Sequence, residues 1–309
     1  MQRDGIEHEP VLCGPVLSLL DPRPGETVVD ATLGHGGHAR LMAEAIGPTG
    51  RLIGFDVDEQ NIERARRRLE HMVPPDRRPS ISLLRANFHE LNEQLDLLGV
   101  AQVDVVLADL GPSTDQLLDT ELGLSFSADG PLDMRLDSRL STTAADLVNA
   151  MGENDLADLF YNLSQERFSR RIARRICKVR HEGRIWRTSE LVRIICSAVG
   201  EPAHSRAGRI HPATRVFLAL RMAVNHEVEN LQSLLGLLPD RLRSGGRAGI
   251  ISFHSGEDRL VKQDFLARKA SGLYEIRTKK PMTPSREECA SNPRSRSAKL
   301  RVAARLPAG

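Results

Sequence analysis

Cysteine, aromatic residues and long apolar runs are all scarce in this sequence of 309 residues. The four cysteines, at positions 13, 177, 196 and 289, are too few and too scattered for a disulfide framework or for paired zinc ligands. No apolar run approaches the roughly 18 residues of a membrane span, and the stretch MQRDGIEHEP lacks the apolar core of a signal peptide. We therefore expect a cytoplasmic protein in a reducing compartment, with no membrane partner.

Net charge is also small, but its distribution along the chain is uneven. The 43 basic and 41 acidic residues leave only +2. Residues 113–166 hold 2 basic and 11 acidic side chains, residues 167–209 hold 12 basic and 3 acidic, and residues 277–309 hold 9 basic and 2 acidic. Basic blocks of this kind are typical of proteins that bind nucleic acid. The central block is also compatible with arginines that pair with the acidic segment just before it, and the sequence leaves both interpretations open.

The remaining composition, 40% hydrophobic and 27% charged, indicates a globular chain with room for one large domain or two ordinary ones. Apolar strands are predicted at 27–33, 51–58, 80–88 and 103–111, and helices at 11–20, 38–46, 61–72 and 91–98. This alternation predicts a parallel α/β sheet with helices on both faces.

The alternation stops after the fourth strand. Helical segments at 145–163, 167–180 and 188–199 follow a loop rich in Asp, Gly and Ser, and we interpret them as a helical insertion. A single long helix at 213–242 and strands at 247–255, 273–281 and 299–306 then restore the α/β pattern. We therefore predict a discontinuous α/β domain over 1–112 and 212–309, and a mostly helical domain over 113–211.

A glycine-rich turn joins the first strand to the next helix. In GHGGHA, Gly34, Gly36 and Ala39 satisfy the dinucleotide-binding pattern, and Asp56 ends the second strand 22 residues after Gly34. Glycine permits the tight turn and lets a ligand approach the backbone amides at the start of the helix. A nicotinamide dinucleotide, a flavin and S-adenosylmethionine all fit, because each presents a ribose diol to an acid at the tip of the second strand.

Asp109 ends the fourth strand at the carboxyl edge, where doubly wound sheets place their chemistry. Aspartate there is also common as a helix cap or turn residue. A metal site formed by His35, His38 and His254 is disfavoured, because no carboxylate or cysteine lies at ligand spacing, and we expect no bound metal.

Nine motifs occur in one order along nearly the whole chain. They are HEPVL at 8–12, DATLGHGGHA at 30–39, LIGFDVD at 52–58, NF at 87–88, DLG at 109–111, SFSADGPLDMRLD at 125–137, HPATRVFLALRMAVN at 211–225, SFHSGEDRLVK at 252–262 and NPRSRSAKLRV at 292–302. In this combination they resemble the bacterial 16S ribosomal RNA (cytosine-N4)-methyltransferase family. A single glycine turn is a weak signal, but DGPLDMR, HPATR and NPRSRSAKLR together are specific to that family.

The resemblance implies a class I methyltransferase sheet, which is Rossmann-like, with a helical insertion domain after the fourth strand. It also implies S-adenosylmethionine as methyl donor, and one cytidine in the decoding region of 16S ribosomal RNA, within the small ribosomal subunit, as substrate. The donor contacts that it implies are Gly36, Gly37 and His38 at the turn, Asp56 at the ribose, Phe88 beside the adenine, Asp109, and Gln116.

Several positions depart from the family pattern, among them ELGLSF at 121–126, where an ERGFSF-like stretch is common. Pro112 and Thr114 stand in DLGPSTDQ where DLGVSSxQ is usual, and Gly256 stands where leucine is usual. Pro112 stiffens the loop and removes an amide donor. Asp109 is the candidate acceptor for a proton of the cytosine amine, and the carbonyl of the Gly111-Pro112 turn is a second acceptor. No aromatic residue lies directly after DLG, so Phe126, farther along the chain, is the candidate to stack on the target base.

Phosphate contacts are expected to dominate RNA recognition, because 8 Phe, 2 Tyr and 1 Trp offer few stacking platforms. Two groups of basic residues are candidates for these contacts. Those of the first group recur at spacings of three and four and so share one helical face. The candidates are Arg170, Arg171, Arg174, Arg175 and Lys178 in the first group and Arg294, Arg296, Lys299 and Arg301 in the second.

Two other functions remain open from the residues alone. The glycine turn permits a nicotinamide-dependent oxidoreductase, although no Tyr-x-x-x-Lys pattern is present. The basic blocks permit a ribosome-assembly RNA-binding protein without catalysis. Binding of S-adenosylmethionine distinguishes both alternatives from a methyltransferase.

Overall fold

A computed structural model describes residues 10–201 and 211–307. His8 and Glu9 of the first motif, and residues 202–210 at the end of the central basic block, lie outside the described residues. The chain forms two compact units, Met1–Gly111 with Glu229–Gly309, and Pro112–Val228. Within the described ranges, no helix is long and apolar enough to cross a membrane.

The first unit is built on a seven-stranded sheet. Its strands are β1 (Thr27–Asp30), β2 (Arg51–Asp56), β3 (Ser80–Arg85), β4 (Val103–Asp109), β5 (Leu242–Ser252), β6 (Tyr274–Ile276) and β7 (Lys299–Arg305). They lie in the order β3-β2-β1-β4-β5-β7-β6. Strand β7 is antiparallel to both of its neighbours, and the other pairs are parallel. The predicted α/β sheet is confirmed.

Some of the helices flank this sheet in the first unit, and others form the second unit. In chain order they are α1 (Cys13–Leu20), α2 (Gly37–Ile46), α3 (Glu59–Met72), α4 (Leu91–Leu97), α5 (Thr114–Leu118), α6 (Ala144–Ala150), α7 (Glu153–Ser164), α8 (Ser169–Arg180), α9 (Thr188–Val199), α10 (Ala213–Val224), α11 (Glu227–Arg241), α12 (Ser255–Ala270) and α13 (Arg286–Ser291).

Successive side chains of each strand point to opposite faces of the sheet, so the first unit has a core on each face. Val28 and Val105 pack with α1, α2 and α3 on one face, whereas Val29 and Val106 pack with α4, α11 and α12 on the other. Both faces are therefore buried, as a parallel sheet requires.

The second unit contains helices α5 to α10. Its core includes Ile172 and Ile176 of α8 and Leu191 of α9, and it also takes in Val216 and Leu220 of α10. The second unit therefore extends beyond residue 212, where the α/β domain was predicted to resume.

The single helix predicted over 213–242 is wrong, because α10 and α11 are separate helices. Asn225 ends α10, and His226 adopts a left-handed φ of 51°. The Asn225 side chain accepts the N–H of Leu136 at 2.7 Å and donates to the carbonyl of Met134 at 2.8 Å. This amide ties the break to a loop of the second unit, a contact that helical periodicity does not reveal.

Candidate active site

Three aspartates end three strands of the first unit, Asp30 on β1, Asp56 on β2 and Asp109 on β4. Strand β1 lies between β2 and β4, where the strand order changes direction, and parallel strands bring their carboxyl ends to one edge. The three carboxyl groups therefore form one acidic cluster. Sequence reasoning identified Asp56 and Asp109 but missed Asp30, although it ends the strand directly before the glycine turn.

Asp30 is almost fully buried, with 1% of its surface exposed. Burial raises the pKa of this carboxyl to about 7, and the charge of Asp56 also raises it, against hydrogen bonds from Thr32 and Ala39. Its Oδ2 atom has no hydrogen-bond partner among the described residues. Near neutral pH Asp30 is therefore divided between its protonated and ionised forms.

Asp56 holds the glycine turn in place. Its Oδ2 atom accepts the N–H of Gly34 at 2.8 Å, and its Oδ1 atom accepts the N–H of Asp58 at 2.9 Å. The side-chain amide of Asn61 lies 3.3 Å from both oxygens. Burial raises the pKa of Asp56 to about 6 although these hydrogen bonds oppose the rise. Asp56 thus supports the turn as well as facing the sheet edge.

The glycine turn has the left-handed backbone that its sequence predicts. Gly34 and Gly36 have φ of 49° and 74°, and Gly36 is the N-cap of α2. A Cβ atom at Gly36 would lie 2.9 Å from the Cβ of Ala65, and one at Gly37 would lie 2.9 Å from the Cγ of Pro10. Close packing therefore requires these two glycines, independently of any ligand. Because Gly36 has no side chain to cap α2, the first amides of that helix are suited to a polar ligand group.

Asp109 lies beside His38, with 3.7 Å between the Oδ2 and Nε2 atoms. Both ring nitrogens of His38 and the Oδ1 atom of Asp109 are buried without a hydrogen-bond partner in the described structure. Burial lowers the pKa of His38 to about 4. Burial, together with the charges of Asp30 and Glu257, raises the pKa of Asp109 well above its usual value. The pair is therefore a neutral imidazole beside a carboxyl group that retains its proton more readily than an exposed aspartate.

Glu257 adds a fourth acid to this region. It lies in the first turn of α12, is 5% exposed, and accepts the N–H of Phe253 at 2.9 Å. Among the described residues, no lysine or arginine forms an ion pair with Asp30, Asp56 or Asp109. The edge of the sheet is thus a buried acidic site, which favours a ligand that carries positive charge.

The other predicted donor contacts lie on separate elements. Phe88 follows β3 at the start of a short 3-10 helix and packs against the core of the first unit. Gln116 lies in α5 of the second unit, where its Oε1 atom accepts the N–H of Ser113 at 2.9 Å. Phe126, the predicted stacking residue, already stacks on His211 with ring centroids 4.7 Å apart. This contact makes Phe126 part of the packing of the second unit.

The basic residues of α8 form an exposed face. Arg170, Arg171, Arg174 and Lys178 are exposed and Arg175 is half-buried. Arg174 lies 3.4 Å from Glu153, but within the described residues no carboxylate oxygen lies within 4.0 Å of the other four basic groups. The acidic segment therefore neutralises one of the five charges on this helix.

The members of the second basic group differ in exposure. Arg294 and Arg296 are exposed on a 3-10 helix of the first unit. Arg301 is 8% exposed and donates through Nε to Asp258 at 2.6 Å, and Lys299 lies 3.6 Å from the same carboxylate. Arg301 is therefore committed to an internal ion pair, which sequence patterning could not distinguish from a free charge.

The sheet order, with its antiparallel seventh strand, the glycine turn after β1 and the acid at the end of β2 define a class I S-adenosylmethionine-dependent methyltransferase. The chain belongs to the MraW methylase family, whose model matches residues 5–306.

Curated relatives are similar to this chain in length and in sequence. One from Koribacter versatilis, named ribosomal RNA small subunit methyltransferase H, is 47% identical over 307 residues, covering 97% of this chain and 96% of that one. Relatives of the same name from Acidobacterium capsulatum and Cyanothece sp. are 44% and 46% identical. They cover 98% and 97% of this chain, and 99% and 95% of their own lengths. The family resemblance inferred from the nine motifs is confirmed.

Proposed function

We propose that this chain transfers a methyl group from S-adenosylmethionine to the exocyclic N4 amine of a cytidine in the decoding region of 16S ribosomal RNA. Its substrate would be that RNA within the small ribosomal subunit, in the cytoplasm. The observation that carries the proposal is the position of Asp109, buried at the end of β4 beside the glycine turn, with its Oδ1 atom unpartnered among the described residues. The names of the relatives support the same substrate.

The residues at the sheet edge fit the methyl donor. Asp30, His38 and Asp109 each have a buried polar atom without a partner in the described structure, as expected where a polar ligand binds. The acids match the positive charges of the sulfonium and amino groups. In this proposal Gly36, Gly37 and His38 lie along the donor, Asp56 holds the ribose, and Phe88 lies beside the adenine. Gln116 remains a prediction from the resemblance.

The chemistry requires a base at the target amine, because its lone pair is delocalised into the cytosine ring. When bound, S-adenosylmethionine supplies an electrophilic methyl group. Asp109 would accept a hydrogen bond from the N4 amine and then the proton that leaves as the new N–C bond forms and the carbon–sulfur bond of the donor breaks. Burial makes the ionised form of Asp109 a stronger proton acceptor than an exposed carboxylate. The Gly111 carbonyl can accept the second amine hydrogen.

Basic side chains of α8 would contact RNA phosphates. Arg170, Arg171, Arg175 and Lys178 support this role, because no carboxylate in the described structure neutralises them. Arg294, Arg296 and Lys299 form the second proposed contact group. Arg301 contributes less to it, because its guanidinium is bound to Asp258.

One experiment tests donor, substrate and target atom together. Labelled methyl transfer is measured in parallel on 16S ribosomal RNA, small ribosomal subunits and DNA, and the modified base is mapped. We expect N4-methylcytidine in the decoding region and no transfer to DNA. Transfer to DNA, or to another base, would overturn the proposal. Calorimetry should detect binding of S-adenosylmethionine, and an absence of binding would contradict the donor contacts proposed for this chain.

A further inference from the structure

The only tryptophan of the chain, Trp186, lies on the surface of the second unit with 53% of its area exposed. It precedes α9, and its backbone is fixed on both sides. Its N–H donates to Glu190 Oε2 at 2.9 Å, and its carbonyl accepts the N–H of Leu132 at 2.8 Å. The preceding side chain, Ile185, is buried in the core of the unit. A rigid backbone therefore presents a large aromatic ring to solvent.

Arg184 covers part of this ring, with its guanidinium carbon 4.6 Å from the ring centroid. The Arg184 side chain is itself 57% exposed and lies 3.8 Å from Asp146. Trp186 is absent from the hydrophobic core that the described residues of the unit form. Much of the indole thus remains in water beside a cation, which is the arrangement of a stacking platform that also attracts negative charge.

The surroundings of Trp186 favour a nucleobase over an apolar protein surface. Residues 180–187 contain three arginines and one glutamate. Arg187 is paired with Asp129 at 2.6 Å, and Arg180 donates to backbone carbonyls, so Arg184 is the exposed cation beside the ring. Within that segment, no other large apolar side chain is exposed. A protein-binding tryptophan usually lies within a larger apolar patch. A single aromatic ring with one exposed arginine beside it instead suits an unpaired base whose phosphate lies near that cation.

We propose that Trp186 stacks on an unpaired base of the RNA substrate, with Arg184 holding the indole in place and attracting the adjacent phosphate. This inference rests on the proposed function, since it takes RNA as the substrate. The Phe126 ring, which was predicted to stack on the target base, is instead paired with His211. Eight residues separate Lys178 on the basic face from Trp186, which limits their distance to about 28 Å. An RNA segment of moderate length is long enough to span that distance.

The single tryptophan allows a direct test without mutation. The full-length protein is titrated with an end-labelled, single-stranded RNA oligonucleotide, and label anisotropy and tryptophan emission are recorded together. We expect emission to fall and to saturate at the same RNA concentration as anisotropy. An abasic oligonucleotide of equal length should bind through its phosphates without this decrease. Binding that leaves the emission of Trp186 unchanged would overturn the proposal.

Variants provide a second readout. Trp186→Leu should weaken RNA binding about 5-fold to 150-fold, the effect of losing one stacked base, whereas Trp186→Phe should retain most of the affinity. Tyr161→Leu is the matched control, because Tyr161 is 54% exposed in the same unit. Equal weakening by Trp186→Leu and Tyr161→Leu would contradict a specific stacking role.

Two further outcomes separate this inference from its alternatives. If emission responds to purified small-subunit proteins but not to RNA, Trp186 binds protein and the inference is wrong. If the protein methylates ribosomal RNA while emission is insensitive to RNA, the inference fails and the proposed function stands. If the protein neither transfers methyl groups to ribosomal RNA nor binds S-adenosylmethionine, the proposed function itself is wrong.

Discussion

The Nε2 atom of His38 lies 3.7 Å from the Oδ2 atom of Asp109, just beyond hydrogen-bond distance. His38 belongs to the first turn of α2, and Asp109 ends β4. Burial disfavours the charged form of both groups, lowering the pKa of His38 to about 4 and raising that of Asp109. Without a ligand the pair therefore does not form an ion pair. A bound cation would favour ionised Asp109, which couples the binding of the methyl donor to the formation of the base.

Asp109→Asn should reduce methyl transfer about 100-fold or more, the usual effect of losing a general base. The amide keeps the size of the carboxyl group but cannot accept the amine proton. Single-turnover transfer at saturating donor and RNA measures this step, and calorimetry should show that the donor still binds, although more weakly. Full turnover by the variant would exclude Asp109 as both base and positioning group.

His38→Gln should make stability less sensitive to acid. The pKa of His38 is about 4 in the folded protein, below its ordinary value of 6.5, so the unfolded chain takes up the proton first as pH falls. The parent therefore loses about 2 to 3 kcal/mol between pH 6.5 and pH 4 through this group. Urea unfolding at pH 7 and pH 4.5 should show a smaller loss in the variant. An identical loss in both proteins would contradict the assignment.

Asp30→Asn should have the opposite pH dependence. The pKa of Asp30 is about 7 in the folded protein and about 4 when unfolded, so stability is lost as pH rises between these values. Removing the charge should stabilise the ligand-free protein by a few kcal/mol above pH 7, and by much less at pH 4. It should also weaken binding of S-adenosylmethionine in calorimetry. The exposed Asp76→Asn is the control and should change neither property.

Local sequence signals were sufficient to predict the strands that form the site. The apolar segments before Asp56 and Asp109 and the glycine turn after Asp30 each have a short-range signature, and the structure places all three at one sheet edge. Asp30 itself was missed because an aspartate at a strand end is common, and its burial arises from neighbours distant in sequence. The protonation states of Asp30 and Asp109 depend on that burial and could not be read from the chain.

Contacts between residues that are distant in sequence explain the other differences between the predictions and the structure. The break at Asn225 depends on hydrogen bonds to Met134 and Leu136, about 90 residues earlier. The charge pattern of α8 predicted a basic face, but the extent to which the acidic segment neutralises it depends on the three-dimensional positions of Glu153 and Arg174. The same limit applies to Arg301, whose partner lies on a different element.

Replacing both Arg170 and Arg171 with glutamine should weaken RNA binding and flatten its salt dependence. Each lost phosphate contact should lower the slope of log affinity against log salt by about 0.7 to 0.9, so we expect a total change of about 1 to 2. Fluorescence anisotropy at several salt concentrations measures this slope. The control replaces Arg66 and Arg67 of α3, which are exposed and lie beside Glu63. Equal effects of the two pairs would indicate general charge attraction rather than a binding face.

Arg301→Gln should destabilise the protein with little change in the salt dependence of RNA binding. Burial alone would raise the pKa of Asp258, but Arg301 and Lys299 more than offset it, so the net pKa lies below its usual value. Removing Arg301 leaves a largely buried carboxylate with Lys299 at 3.6 Å, and the free energy of unfolding should fall by about 2 to 4 kcal/mol. Urea unfolding measures this loss. Arg296→Gln, at an exposed position on the same segment, should leave stability unchanged and reduce the salt slope. A stable Arg301→Gln variant with weakened RNA binding would show instead that Arg301 contacts the phosphates.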